Sequence, residues 1–174
     1  YLRGNPATLG TTVPRGFPKV IAGVAPPRIS AGSGRRELAH WLTRPDHPLL
    51  TRVAVNWIWQ HHFGEGLSRT PGDFGVMSDP PSHPDLLDWL AFTYQNNGWD
   101  TKAMLKLIVT SRTYRQNSAF QVEDMAEDSR DAISVVDPLN RFLSRGPSFR
   151  MPAEMIRDQV LAASGLLRRQ IGGP

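Results

Sequence analysis

Between Leu49 and Phe63 the chain reads L-L-T-R-V-A-V-N-W-I-W-Q-H-H-F, a stretch apolar on most sides of a helix. A helix of that kind has to lie at the centre of its fold, so this segment constrains everything packed around it. Leu50, Val53, Ala54, Trp57, Ile58 and His61 share one face at helical spacing, and Val55 and Trp59 add a second apolar strip. Gly64 supplies the stop. Three polar residues, Arg52, Asn56 and Gln60, recur every four positions and therefore stack in a single stripe along the helix.

The flanks punctuate strongly. Residues 1–34 contain eleven Gly or Pro and four charges, all positive (Arg3, Arg15, Lys19, Arg28). Such a composition cannot sustain a helix, and it predicts an extended arm, with a short strand at Lys19-Val20-Ile21. A helix is expected from Arg35 to about Thr43, with Leu38, Trp41 and Leu42 inward and Pro45 and Pro48 enforcing the break. After a long Gly/Pro loop, Ser82 is the expected cap of a helix running to about Asn96, with Pro84 in its first turn and Gly98 beyond its end. Asp100 caps the next helix, which Trp99 and Met104 staple; it buries Met104, Leu105, Leu107 and Ile108 and ends near Thr113. The stretch from Gln116 to Asp137 is polar and acidic and reads as a surface excursion. A brief helix is expected over 138–144, and a last long one from Pro152 to Leu167 with Ile156, Val160, Ala163 and Leu167 inward. These elements predict an all-α, irregular domain of about five main helices over residues 35–174, with the extended arm before it. Both ends read as cut ends, so a fragment or a processed piece is expected.

Several classes of function drop out on composition. There is no cysteine, hence no disulfide, thiolate metal site, cysteine nucleophile or covalent haem attachment within this chain. No apolar run reaches the roughly 20 residues that span a bilayer. The net charge is +4, and subtracting three lysines from twenty basic residues leaves seventeen arginines. Acid and base are interspersed beyond residue 34, which argues against a nucleic-acid surface. No Walker loop, dinucleotide fingerprint or Gly-x-Ser-x-Gly elbow occurs, and Asp73-Phe74-Gly75 lacks every other part of the kinase set.

The polar stripe is the first site candidate. Its guanidinium and two amides could hold a carboxylate, phosphate or sugar; alternatively they satisfy the backbone of the 64–84 loop, whose buried groups must find partners. His61 and His62 cannot chelate one ion, because adjacent helical residues point about 100° apart, and no metal site is expected. Asp73 is expected to cap backbone amides, with Phe74 plugging the core, and His83-Pro84-Asp85 to start a helix. Near the C-terminus Arg150, Glu154, Arg157 and Asp158 bracket the last helix, with Glu154 and Arg157 spaced for an internal ion pair. Facing the Arg52 stripe, that quartet would complete a polar pocket.

A long collinear set of motifs now accumulates: Arg52-Val53-Ala54-Val55-Asn56, Trp59-Gln60-His61-His62-Phe63-Gly64, Gly66-Leu67, Arg69-Thr70-Pro71, Asp73-Phe74-Gly75 and Pro81-Ser82-His83-Pro84. Leu86 to Ala91, Asn97-Gly98-Trp99, Thr113-Tyr114-Arg115-Gln116, Asp137-Pro138, Asn140-Arg141, Glu154 with Ile156-Arg157-Asp158, and Ser164-Gly165-Leu166-Leu167 continue it. Together they resemble planctomycete-specific domain one over about 35–174; Trp57 departs from the basic residue that the pattern places after Asn56. The resemblance implies a domain with no established activity, found C-terminal in large exported proteins beside a companion domain and a c-type haem domain. It implies haem only for those other domains, export only by association, and a domain over 35–174 that is truncated at its C-terminal end.

Two readings follow. The first is a non-catalytic helical module, structural or domain-docking, whose partners are companion domains of the same parent protein or another fragment of it. The alternative is part of an enzyme site acting on a carbohydrate or polyol in a redox setting. There His61, Asp73 or His83 would serve as acid or base, with Arg52, Asn56 and Gln60 holding substrate. The alternative requires those side chains to converge on one cavity.

Overall fold

A computed structural model of the chain describes residues 3–22, 29, 32–118, 137–168 and 170. Among them are seven helices and no sheet: α1 (Lys19–Ala22), α2 (Arg35–Leu42), α3 (Leu50–Phe63), α4 (Pro84–Asn96), α5 (Thr101–Val109), α6 (Arg112–Arg115) and α7 (Ala153–Ala163). Five of these have eight or more residues, so the protein is all-α. No helix among the described residues is long and apolar enough to cross a membrane.

The core forms where α3 packs on α4 and touches α5. Val55 and Trp59 of α3 meet Leu87, Leu90, Ala91 and Tyr94 of α4 and Met104 and Ile108 of α5 in one buried cluster. Burying each of the larger aliphatic side chains contributes about 1.5–3 kcal/mol. Of the two apolar strips of α3, the core takes the second. The narrow strip with Val55 and Trp59 is the buried one, while Trp57 is 53% exposed and His61 is exposed. The reason is that Leu87 and Leu90 offer their ridge to the 51/55/59 row, and a tryptophan outside that row has no facing groove. Leu107 of α5 is likewise exposed, against expectation, since α5 presents only its 104/108 row to the core.

Helix ends follow local chemistry. Gly64 adopts φ 87° and its N–H closes α3 on the carbonyl of Gln60 at 2.8 Å, a backbone angle that a side chain would strain. Asp100 caps α5, accepting from the Ala103 N–H at 3.0 Å. The α4 start differs from expectation: His83 occupies the N-cap position without a side-chain cap, and Pro84 fills the first helical position. Ser82 faces away because its N–H donates to the Leu67 carbonyl at 2.9 Å across the loop. The expected helix to Thr113 is also broken. Ser111 accepts from the Tyr114 N–H at 3.1 Å and starts α6 as a separate turn, since a serine favours a cap over a helix interior.

The N-terminal stretch is anchored by Phe17, buried against Trp41 of α2 with ring centroids 4.9 Å apart. Ile21, Ile29 and Leu42 pack on this second small cluster. Lys19–Ala22 forms a helical turn, not a strand, because Pro18 presets the φ of a first helical turn and the Ile21 N–H closes on its carbonyl. Leu38 of α2 is exposed, contrary to expectation; only Trp41 of that helix is buried. Between α2 and α3, Arg44 donates to the Ile21 carbonyl at 2.9 Å. His47 lies buried edge-on to Trp41, its Nδ1 accepting from the N–H groups of Leu49 and Leu50 at 3.3 and 3.2 Å.

Residues 137–146 fold as turns, not as the expected helix. Buried Asp137 accepts from the Arg141 and Phe142 N–H groups at 2.6 and 2.9 Å. Asn140 (φ 53°) and Leu143 (φ 58°) bend the chain left-handed. The side chain of Asn140 pairs with both the N–H and the carbonyl of Arg145. These aspartate and asparagine bonds give the backbone an alternative to the helical ladder. The last helix stops at Ala163, short of Leu167, because Gly165 at φ 73° turns the chain. Nor does α7 bury a face: it has no buried residue, and Ile156, Val160 and Ala163 are all exposed. Apart from its edges, the acidic excursion expected over 116–137 lies outside the described residues.

Candidate functional site

The polar stripe of α3 is divided among three tasks. Asn56 is wholly buried. Its Oδ1 accepts from the Ser68 N–H at 2.9 Å and its Nδ2 donates to the Ser68 carbonyl at 3.0 Å. One amide thus serves both backbone groups of a buried loop residue, as a neighbouring strand would. Gly66 makes this approach feasible: a Cβ there would lie 2.6 Å from Asn56 Nδ2 and 2.6 Å from the Ser68 carbonyl. With Leu67 buried in the core, the loop is fastened at its first four residues.

Arg52 turns the other way. Its Nε donates to Asp88 of α4 at 2.6 Å and its Nη1 to the Pro48 carbonyl. That hydrogen bond holds the Asp88 carboxyl below the usual carboxylate range, with burial opposing it. The pair is half-exposed and contributes about 0–1 kcal/mol. Gln60 is half-buried and lines a hollow with His61.

The three acid–base candidates do not meet. His61 Nδ1 lies 2.7 Å from the Trp57 carbonyl, and His62 repeats the arrangement on Ile58. His83 contacts the Ser82 hydroxyl at 3.0 Å and sits edge-on to Phe142. Asp73 accepts from the Gly75 N–H at 2.7 Å, stabilising its own turn, and Phe74 packs on the core. His61, Asp73 and His83 share neither a hydrogen-bond partner nor a hollow among the described residues. The C-terminal quartet also disperses. Arg157 pairs with Asp158 at 3.1 Å and not with Glu154, and only Arg150 reaches a hollow, the one shared with Gln60 and His61. The joint pocket with Arg52 does not form; α7 sits at the C-terminal end of α3, whereas Arg52 belongs to its first turn.

Two adjoining hollows dominate that end of α3. A cleft of about 270 Å³ lies between the 64–69 turn and the 139–149 segment, with Arg69, Arg141, Ser82 and Asn140 on its walls and Trp59 and Phe63 behind. A second, of about 380 Å³, is bounded by Trp57, Gln60 and His61 of α3 and by Arg150, Pro152 and Met155. Gly64 and Phe149 line both. Helical periodicity gives no sign of Arg69, Arg141 or Phe149 as wall residues, because all three lie in turns or loops. The available signal is the left-handed turn chemistry around Asp137 and Asn140 and the Gly64-x-Gly66 spacing.

Among the described residues no group of three or more His, Asp or Glu is placed to hold a metal. A family model described as PSD1, protein of unknown function (DUF1553), matches residues 34–174. No curated protein and no solved structure matches the chain.

Proposed function

Since this chain belongs to the PSD1 family of proteins of unknown function, the family that its motifs resemble, we propose that it is a structural, domain-docking module. Its partner in this reading is a companion domain of one multidomain, exported parent protein. Export and the neighbouring c-type haem domain rest on the resemblance alone. The observation that carries the docking reading is α7. This amphipathic helix leaves Met155 51%, Ile156 46% and Val160 63% exposed, beside a hollow walled by exposed Trp57 and Phe149. Contiguous exposed apolar surface marks an interaction site more often than chance.

The polar stripe supports the same reading. Asn56 is consumed by Ser68 and Arg52 by Asp88 and Pro48, so neither is held ready for a substrate. The separation of His61, Asp73 and His83 gives the carbohydrate or polyol reading no geometric support. A photo-cross-linker placed at Met155 in the full-length parent protein tests the proposal. Cross-links to a companion domain are expected; cross-links confined to residues 34–174 would sink it.

A further inference from the structure

The two hollows at the C-terminal end of α3 adjoin, with Gly64 and Phe149 lining both. Their chemistry is complementary. The larger one is walled by Trp57, Phe149, Pro152 and Met155, with Arg150 at its side. The other carries Arg69 and Arg141. Among the described residues Glu65 is the only carboxylate lining either hollow, so three arginines against one glutamate leave an excess of two positive charges. Glu65 engages Arg69 only through Nε, at 3.5 Å. Arg141 and Arg150 have no ion pair among the described residues. Guanidinium forks left open in this way suit planar carboxylates, and a concave surface of one sign concentrates the opposite charge.

We propose that these hollows form one recognition surface for an acidic polypeptide segment carrying an apolar side chain. The apolar side chain enters between Trp57 and Met155, and flanking Asp or Glu carboxylates meet Arg69, Arg141 and Arg150. A volume of several hundred Å³ accommodates one large side chain with its backbone. A single-stranded nucleic acid fits less well. Three arginines in separate loop segments do not track a phosphate backbone, and the Met155 and Pro152 walls make a socket instead of a stacking platform. The inference rests on the docking reading and gives the partner its chemistry.

Trp57 lines the larger hollow and reports binding directly through its fluorescence. The 174-residue chain is titrated with the blocked peptide Asp-Glu-Leu-Phe-Asp-Glu, with its Lys-for-acid counterpart and with oligothymidylate. Saturable binding of the acidic peptide, with Kd below about 100 μM, and none of the basic one are expected. R69Q combined with R141Q should raise Kd at least tenfold. R157Q, an exposed α7 arginine lining neither hollow, should leave it unchanged, with the helical circular dichroism of all variants retained. The inference is overturned by no saturation, by equal weakening in R157Q, or by tighter binding of the oligothymidylate. Its failure leaves the docking reading standing, because the Met155 cross-link does not depend on charge.

Discussion

Asn56 exchanges two hydrogen bonds with Ser68 where neither group reaches water. Asn56→Ala strands a buried N–H and a buried carbonyl, at about 1–3 kcal/mol each. Urea unfolding should therefore show a loss of about 2–6 kcal/mol, far beyond that of an exposed alanine substitution. Gly66→Ala should cost a similar amount, because its Cβ would collide with the Asn56 amide and the Ser68 carbonyl. His47 makes a second residue-scale case. Burial first, and Arg44 second, push its imidazole below the ordinary value, while Asp46 opposes them. The unfolded chain therefore takes up the proton at higher pH than the folded one. The stability that His47 contributes is complete above about pH 6.5 and is lost as pH falls from there through the folded-state value. Protonation also removes the acceptor that Leu49 and Leu50 use at the start of α3 and sets a positive charge at a helix N-terminus. His47→Asn, which keeps an acceptor and cannot titrate, should flatten the fall in urea midpoint between pH 7 and pH 5. The four-residue spacing of Arg52, Asn56 and Gln60 shows a stripe in the sequence, but not what each member faces. Ser68 is twelve residues from Asn56 and Asp88 is thirty-six from Arg52, and no helical period reaches so far.

Among the elements, α4 and α7 look alike in pattern and differ in use. Both carry apolar residues at helical spacing, yet Leu87, Leu90 and Ala91 are buried whereas α7 buries nothing. Leu87→Ala should cost about 2–5 kcal/mol through lost burial and a residual cavity. Val160→Lys should change stability by no more than about 0.5 kcal/mol, while weakening any docked complex. Parallel thermal melts and binding assays on the two variants separate the roles. Most helix positions are legible because their boundaries are chemical: Gly64, Pro84, Gly98 and Asp100 each act through their own backbone or side chain. Burial is less legible, since periodicity shows that a face is apolar and says nothing of what covers it. That is why α7 and Leu38 read as inward and are not, and why the pattern does not say which apolar strip of α3 the core takes. The turn at 137–146 escapes for another reason. Side-chain bonds from Asp137 and Asn140 outcompete a helix that their neighbours would permit.

At the scale of the whole molecule, the described residues form two apolar centres of unequal size. The larger unites α3, α4 and α5; the smaller holds Phe17, Trp41 and their neighbours. Bridges such as Gln95 Nε2 to the Arg44 carbonyl, at 3.3 Å, are few and single. Phe17→Ala should therefore loosen α2 and the N-terminal stretch while sparing the main core. Hydrogen exchange would show faster exchange in Arg35–Leu42, with Leu50–Phe63 and Pro84–Asn96 unaltered; uniform acceleration would instead mean one cooperative unit. The loop joining α3 to α4 bears on how such a chain can diversify. Leu67 and Ser82 are tied by a backbone bond, and Asn56 grips Ser68. Between those fastenings Val76 and Met77 stand free in solvent. Added or deleted residues near 76 would lengthen or shorten a closed bight at an entropic cost of a few tenths of a kcal/mol. One residue inserted at 65–67 would throw Ser68 off Asn56 altogether. Length variation among descendants of this sequence should thus crowd into the outer half of the loop, with the inner half keeping its count.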